Sequence, residues 1–223
     1  MVEVENLKGL WFPGTFLKTE YFSGLGINVK KVWKYFPGTF ALLILITIVF
    51  AYEVVIGFNK AILQLAQINL LVLYRGEWWR LITAIFIHMG FIHFALNAFW
   101  LFYLGIDLEG VIGTKRFLIV FFISALFGNV LSLFTLPLDV ASGGASGGLF
   151  GIVGASLAIE GVLRRNMSKA LMNALFLFLI NSIFPGVNII AHFGGLAAGL
   201  ILGYTYGKWL KKRLMDMSYW VTY

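Results

Sequence analysis

Between Pro37 and Lys208 the sequence carries six apolar runs separated by polar or charged connections, and this limits the possible folds more than any motif does. Runs of ~20 apolar residues match the hydrocarbon thickness of a bilayer. Inside that layer no water pairs with the backbone, so each segment must satisfy its own N–H and C=O groups, as a helix does. The fold class expected is therefore all-α, a polytopic membrane protein with six transmembrane helices. A composition 60% hydrophobic and 12% charged over 223 residues agrees with it.

The spans are expected at about Pro37–Gly57, His88–Gly110, Lys115–Pro137, Gly144–Leu163, Ala170–Phe184 and Asn188–Lys208. Pro37 suits a helix start, and Pro185-Gly186 makes the turn before the last span. Residues 58–87 are less uniformly apolar, holding Lys60, Gln64, Gln67, Asn69, Arg75, Glu77 and Arg80, and read as a long structured loop in the interface with Trp78 and Trp79 as anchors. Three segments follow: 1–36, an interfacial N-terminal segment of aromatics interleaved with lysines; 37–208, the membrane domain; and 209–223, a basic and aromatic tail. Phe-Pro-Gly-Thr-Phe at 12–16 recurs at 36–40, too short a match to define a repeat architecture.

The net charge of +7 comes from lysines and arginines lying between spans and at the ends, as topology signals do, and is not read as a nucleic-acid surface. Five basic residues lie in 1–36, two in the second connection, three in the fourth and four at the C-terminal end, against none in the third and fifth. With six spans this puts both termini in the cytoplasm. The first loop, with three basic residues, departs from the pattern, and its length weakens the rule there. The protein is expected to be an integral, multi-pass cell-membrane protein, with no signal peptide evident. The absence of cysteine excludes a thiolate nucleophile, a disulfide framework and a thiolate metal site.

Ser146 sits among glycines at 144, 147, 148, 151 and 154. Taken alone, such a stretch suits close helix packing as well as chemistry. Gly195, Gly199, Gly203 and Gly207 form a matching four-residue ladder on the sixth span, so the fourth and sixth helices can press together, with Gly144, Gly147, Gly195 and Gly199 as structural residues of the seam. His192 and Gly195 share a face, which would carry the imidazole toward Ser146, and a neutral imidazole is the usual base for a serine hydroxyl. His93 and Asn97, at i and i+4, share a face of the second span and are candidate donors to an oxyanion together with the Ser146 amide. Ser146, His93 and His192 each fall within roughly 10 Å of their helix starts at the outward side, where water reaches. Ser142 and Ser156 read as a turn and a packing residue, and His88 as an interfacial side chain. With no HExxH pattern and no ligand spacing among Glu53, Asp107, Glu109 and Glu160, neither metal nor cofactor is expected.

Gly-Glu-Trp-Trp-Arg at 76–80, His93-x-x-x-Asn97, GxSG at 144–147 and Ala-His-Phe-Gly-Gly-x-x-x-Gly from 191 to 199 together resemble the rhomboid intramembrane serine proteases, over Gly76 to about Gly203. The resemblance implies a six-helix bundle with a Ser146–His192 dyad, an oxyanion site of His93, Asn97 and the Ser146 amide, Trp79-Arg80 as a structural element of the first loop, and the second and fifth spans as the gate. The expected activity is endoproteolysis of single-span membrane proteins near the outer edge of the bilayer, with their transmembrane segments and the lipid bilayer as partners. Two readings from other classes stand beside it, a non-catalytic protein that binds transmembrane helices and a small transporter. The transporter lacks support from any inverted repeat or intramembrane acidic pair.

Overall fold

The computed structural model describes residues 29–182 and 186–220. The readings of residues 1–28, of Pro185 and of the last three residues lie outside them. A 3-10 turn, Val29–Lys34, leads into α1 (Pro37–Ile56). There follow α2 (Phe58–Leu65), α3 (Asn69–Arg75), α4 (Arg80–Thr83), α5 (Phe91–Ile112), α6 (Thr114–Thr135), α7 (Ser146–Leu163), α8 (Met167–Ser182) and α9 (Ile189–Trp220). Two short strands, β1 (Gln67–Ile68) and β2 (Ala141–Ser142), pair antiparallel with Gln67 opposite Ser142.

Among the described residues five helices, α1, α5, α6, α7 and α9, are long and apolar enough to cross a membrane. The sixteen residues of α8 fall short of the ~20 that an upright crossing takes. Helix α9 does not stop at Lys208: Trp209–Trp220 contains neither glycine nor proline and is rich in Lys, Leu and Met, which sustain a helix beyond the apolar run. Helix α5 begins at Phe91, so His88 precedes it.

The core lies where α7 crosses α6 and α9. Side chains would keep these backbones apart, and the sequence supplies none: a Cβ on Gly195 would fall on the Gly147 carbonyl, one on Gly199 on the Gly151 carbonyl, and one on Gly203 on Ala155. Gly154 faces the Leu196 carbonyl in the same way, at 2.6 Å. Between apolar helices in lipid, such backbone proximity is a principal source of association. Helix α6 joins the seam through Gly128, which abuts Ala191, and through Ser124, which abuts Gly151.

Glu109, near the end of α5, gathers the first turns of two other helices. Its carboxylate accepts the N–H groups of Gly38 and Thr39 (2.9 and 2.8 Å) and the hydroxyls of Thr39 and Thr114 (both 2.7 Å). A carboxylate at a helix N-terminus satisfies donors that have no intrahelical partner and meets the positive end of the helix dipole.

The segment between α1 and α5 is stitched to the bundle rather than laid over it. Gln67 donates to Asn69 Oδ1 and to the Asn129 carbonyl (2.9 and 3.0 Å), Asn69 donates to the Ser132 carbonyl (3.1 Å), and Asn129 donates back to the Leu81 carbonyl (2.8 Å). Arg80, 5% exposed, spends its guanidinium on the carbonyls of Ala66 and Leu63 and on Glu77. Trp78 and Trp79 are each 54% exposed. Thus a buried arginine holds the turn together while its two tryptophan neighbours face outward.

Candidate active site

Ser146 is the first residue of α7, half-buried, and as the first helical residue its N–H has no carbonyl one turn back. The approach to it is shaped by Gly144, whose φ of 135° and whose N–H bond to the Ala84 carbonyl (2.8 Å) both fix the chain. A Cβ at Gly144 would lie 2.8 Å from His93 Cε1, 2.9 Å from His93 Nε2 and 3.7 Å from Ser146 Oγ. The His93 ring and the Ser146 hydroxyl therefore border one small volume that only glycine leaves open.

His192 lies in the first turn of α9, held by its helix start. The Asn188 side-chain oxygen accepts the Ala191 N–H (2.9 Å), the N-cap bond of this helix, and the Asn188 carbonyl accepts the His192 N–H (3.1 Å). The Asn188 amide in turn donates to Ser132 on α6 (3.0 Å). The His192 ring is 7% exposed and stacks on Phe150, one turn beyond Ser146, with ring centroids 4.3 Å apart and planes 27° apart. Because Gly147 packs on Gly195, the two helix starts that bear Ser146 and His192 stand side by side. His192 Nδ1 is buried and makes no hydrogen bond in the described structure.

His93 and Asn97 occupy one face of α5. Asn97 Nδ2 donates to the His93 carbonyl (2.8 Å), while its Oδ1 is buried without a partner. The Asn97 amide thus spends one N–H on its own helix and keeps a second.

His88 is not the interfacial side chain expected of it. It is fully buried, its ring edge-on to His93 with centroids 5.1 Å apart. Its Nδ1 lies 3.0 Å from the Phe86 carbonyl, and its backbone N–H is bound by the Glu53 carboxylate of α1 at 2.7 Å. Gly90, with a φ of 129°, turns the chain between His88 and the start of α5. Ser142 is buried in β2, and Ser156 is buried deeper along α7. No group of three or more His, Asp or Glu side chains among the described residues has the proximity to hold a metal ion.

Phe150 and Asn188 bear directly on His192, and neither was a candidate from sequence. Asn188 had a readable signal, an Asn immediately before an apolar run, which marks an N-cap. Phe150 had only its spacing of four from Ser146, which any apolar residue of a span satisfies.

A helical membrane bundle that brings a glycine-flanked serine beside a histidine defines a class, and comparison with known proteins identifies it. Residues 75–209 match the Rhomboid domain, and the chain belongs to the rhomboid family. It is 40% identical over 136 residues to YdcA of Bacillus subtilis (strain 168), covering 58% of this chain and 67% of that protein. It is 38% identical over 135 residues to RHOMBOID-like protein 6, mitochondrial, of Arabidopsis thaliana, covering 58% and 44%. Rhomboid protease GluP of Bacillus subtilis (strain 168) matches at 33% over 130 residues, 56% of this chain and 25% of that protein. The chain thus spans less than half the length of the latter two relatives. It is an integral membrane protein of a family that includes proteases.

Proposed function

We propose that this protein is an intramembrane serine endopeptidase in which Ser146 is the nucleophile and His192 its base. The observation that carries the reading is the seam: backbone contact of Gly147 with Gly195 holds the two helix starts together, and Phe150 backs the imidazole. His192 takes the proton of Ser146 as its oxygen attacks the scissile carbonyl, and returns it to the leaving amine as the C–N bond breaks. Water, deprotonated by the same imidazole, then attacks the acyl-enzyme ester and releases Ser146. The Ser146 N–H, His93 and Asn97 stabilise the oxyanion, through the volume beside Gly144. No carboxylate is assigned to His192; its orientation comes from the Phe150 stack and the Asn188 cap.

In this reading α8 is the fifth of six spans and α9 the sixth, 37–208 is the membrane domain, 1–36 and 209–223 lie at the cytoplasmic face, and the segment between α1 and α5 rests in the outer interface. The distribution of Lys and Arg supports that orientation. Substrates are single-span membrane proteins passing between α5 and α8. A substrate helix must expose its scissile bond before attack, which favours Gly or Pro near the cut and a small residue before it.

The test is cleavage of a panel of single-span substrates by the purified protein, with the cut mapped by mass, alongside labelling by a serine-directed fluorophosphonate. Ser146→Ala and His192→Ala should each abolish cleavage with the fold retained, and Ser142→Ala should cleave normally. Full activity of Ser146→Ala would refute the assignment.

A further inference from the structure

Far from Ser146, at the other end of α7, a cavity of about 440 Å³ opens between the α7–α8 turn and the last turns of α9. Arg165, Lys208, Lys211 and Lys212 line it, and no carboxylate does. Among the described residues none of the four is in an ion pair; the nearby Glu160 is engaged by Arg164 (2.9 Å), and Lys208 lies over the Tyr204 ring (4.5 Å). Asp216, on the same stretch of α9, is exposed and outside the lining.

Adjoining this pocket and sharing Met167 and Tyr204 with it, a second cavity of about 330 Å³ continues toward the middle of the bundle. Its walls are apolar, with Leu171 of α8 facing Leu200 and Ile201 of α9 over Ala158. Residues 201, 204, 208 and 211 recur every three or four positions and so form one face of α9, apolar at Ile201 and cationic at Lys208 and Lys211. From Leu200 to Lys211 that face runs ~16 Å, about half the hydrocarbon thickness of a bilayer, the depth of one leaflet.

Arg165 adds an independent observation. Helix α7 ends in a six-to-one bond, Asn166 N–H to the Gly161 carbonyl (2.9 Å), the closure in which the intervening left-handed residue is usually glycine. Here that residue is Arg165, with φ 54°, and among the described non-glycine residues it alone has positive φ. A cationic side chain stands on the pocket wall where glycine would strain the backbone less.

The geometry points to a binding site for one anionic phospholipid, its phosphodiester among Arg165, Lys208, Lys211 and Lys212 and an acyl chain in the groove between α8 and α9. A zwitterionic lipid would fill the groove and offer the same phosphodiester, but its quaternary ammonium would be repelled by the four cations. A free phosphate would pair with the cations and leave the groove empty.

The full chain is reconstituted into vesicles of equal parts phosphatidylglycerol and phosphatidylcholine, extracted mildly, and the retained lipid is counted by native mass spectrometry. Phosphatidylglycerol should be retained at least ~fivefold over phosphatidylcholine, and Arg165→Gly should lower that preference by about fivefold, the effect of one interfacial cation. Arg165→Lys should keep it. Glycine suits φ 54°, so Arg165→Gly retains the fold, and it should leave fluorophosphonate labelling of Ser146, ~25 Å away along α7, unchanged. Equal retention of the two lipids by the wild type overturns the site. So does displacement of phosphatidylglycerol by an equal concentration of soluble glycerol 3-phosphate, which would mark a pocket for small free anions. An undiminished preference in both Arg165→Gly and Lys211→Gln/Lys212→Gln also overturns it.

Discussion

The seam between α7 and α9 and the helix α8 beside it are built on opposite terms. In the seam, glycines put backbone on backbone, and most of α7 is buried. Along α8, Ala170 and Ala174 are buried while Met172, Leu175 and Phe176 are 70%, 56% and 63% exposed. A dyad needs heavy atoms held to a fraction of an ångström. A membrane-embedded substrate needs room to approach. The proposed reading puts Ser146 and His192 on the close-packed pair, with α8 meeting it through Phe178, whose ring lies edge-on to Phe150 (6.3 Å).

The sharpest way to break this comparison is to separate the seam. In Gly199→Val the new Cβ meets the Gly151 carbonyl, an atom that cannot swing aside, so the two helices must part. Overpacking of this kind typically costs about 1–3 kcal/mol. Fluorophosphonate labelling of Ser146 should fall sharply and the Tm in detergent should drop with it, although Gly199 lies about two turns from His192. Undiminished labelling would separate glycine packing from the alignment of Ser146 and His192.

Much of this scaffold is legible in one sequence because the bilayer imposes a single demand, apolar length, on every span. The five spans begin within about three residues of where the apolar runs do. The end of α9 was not legible, because the helix outlasts the apolar run and no Gly or Pro stops it. Nor was the stitching of the first loop: Gln67 and Asn69 look like surface residues in sequence, and they are buried by their bonds to α6 and by the pairing of Gln67 with Ser142. At the candidate site, the close approach of the helices that carry Ser146 and His192 was marked by glycine ladders on both. Phe150 and the burial of His88 depend on which way a ring and a loop turn, and apolar periodicity carries no record of either.

His93→Ala and Asn97→Ala should impair kcat without abolishing cleavage. Loss of one oxyanion donor costs ~10²–10³ in soluble serine proteases, and here the Ser146 amide remains, so a smaller loss is expected. The double variant should lose less than the product of the single losses if both side chains serve one oxygen. Because Asn97 already spends one N–H on the His93 carbonyl, its loss should be the smaller of the two. A variant with intact kcat and only a lowered Tm would reduce that residue to a bracket within α5.

Activity should also depend on pH through the base. Only neutral imidazole accepts the serine proton, so the rate should fall about tenfold for each pH unit below the pKa of His192. A rate with no acid limb at any pH where the protein stays folded would remove histidine as the base.

The smallest effect sharpens the comparison from the α8 side. Phe176→Ala trims a side chain that is 63% exposed, so the stability of the fold should change by no more than about 0.5 kcal/mol. If substrates pass beside α8, the same change should raise kcat/KM severalfold for single-span substrates, since the opening becomes easier while the seam is untouched. The rate of fluorophosphonate labelling should stay near wild type, because that small probe reports the alignment of Ser146 with His192 and needs little opening. In Gly199→Val, labelling and stability should fall together; in Phe176→Ala, turnover should change while both hold. If Phe176→Ala slowed labelling as much as cleavage, α8 would be part of the rigid frame that aligns the dyad, and the division of labour between the two regions would fail.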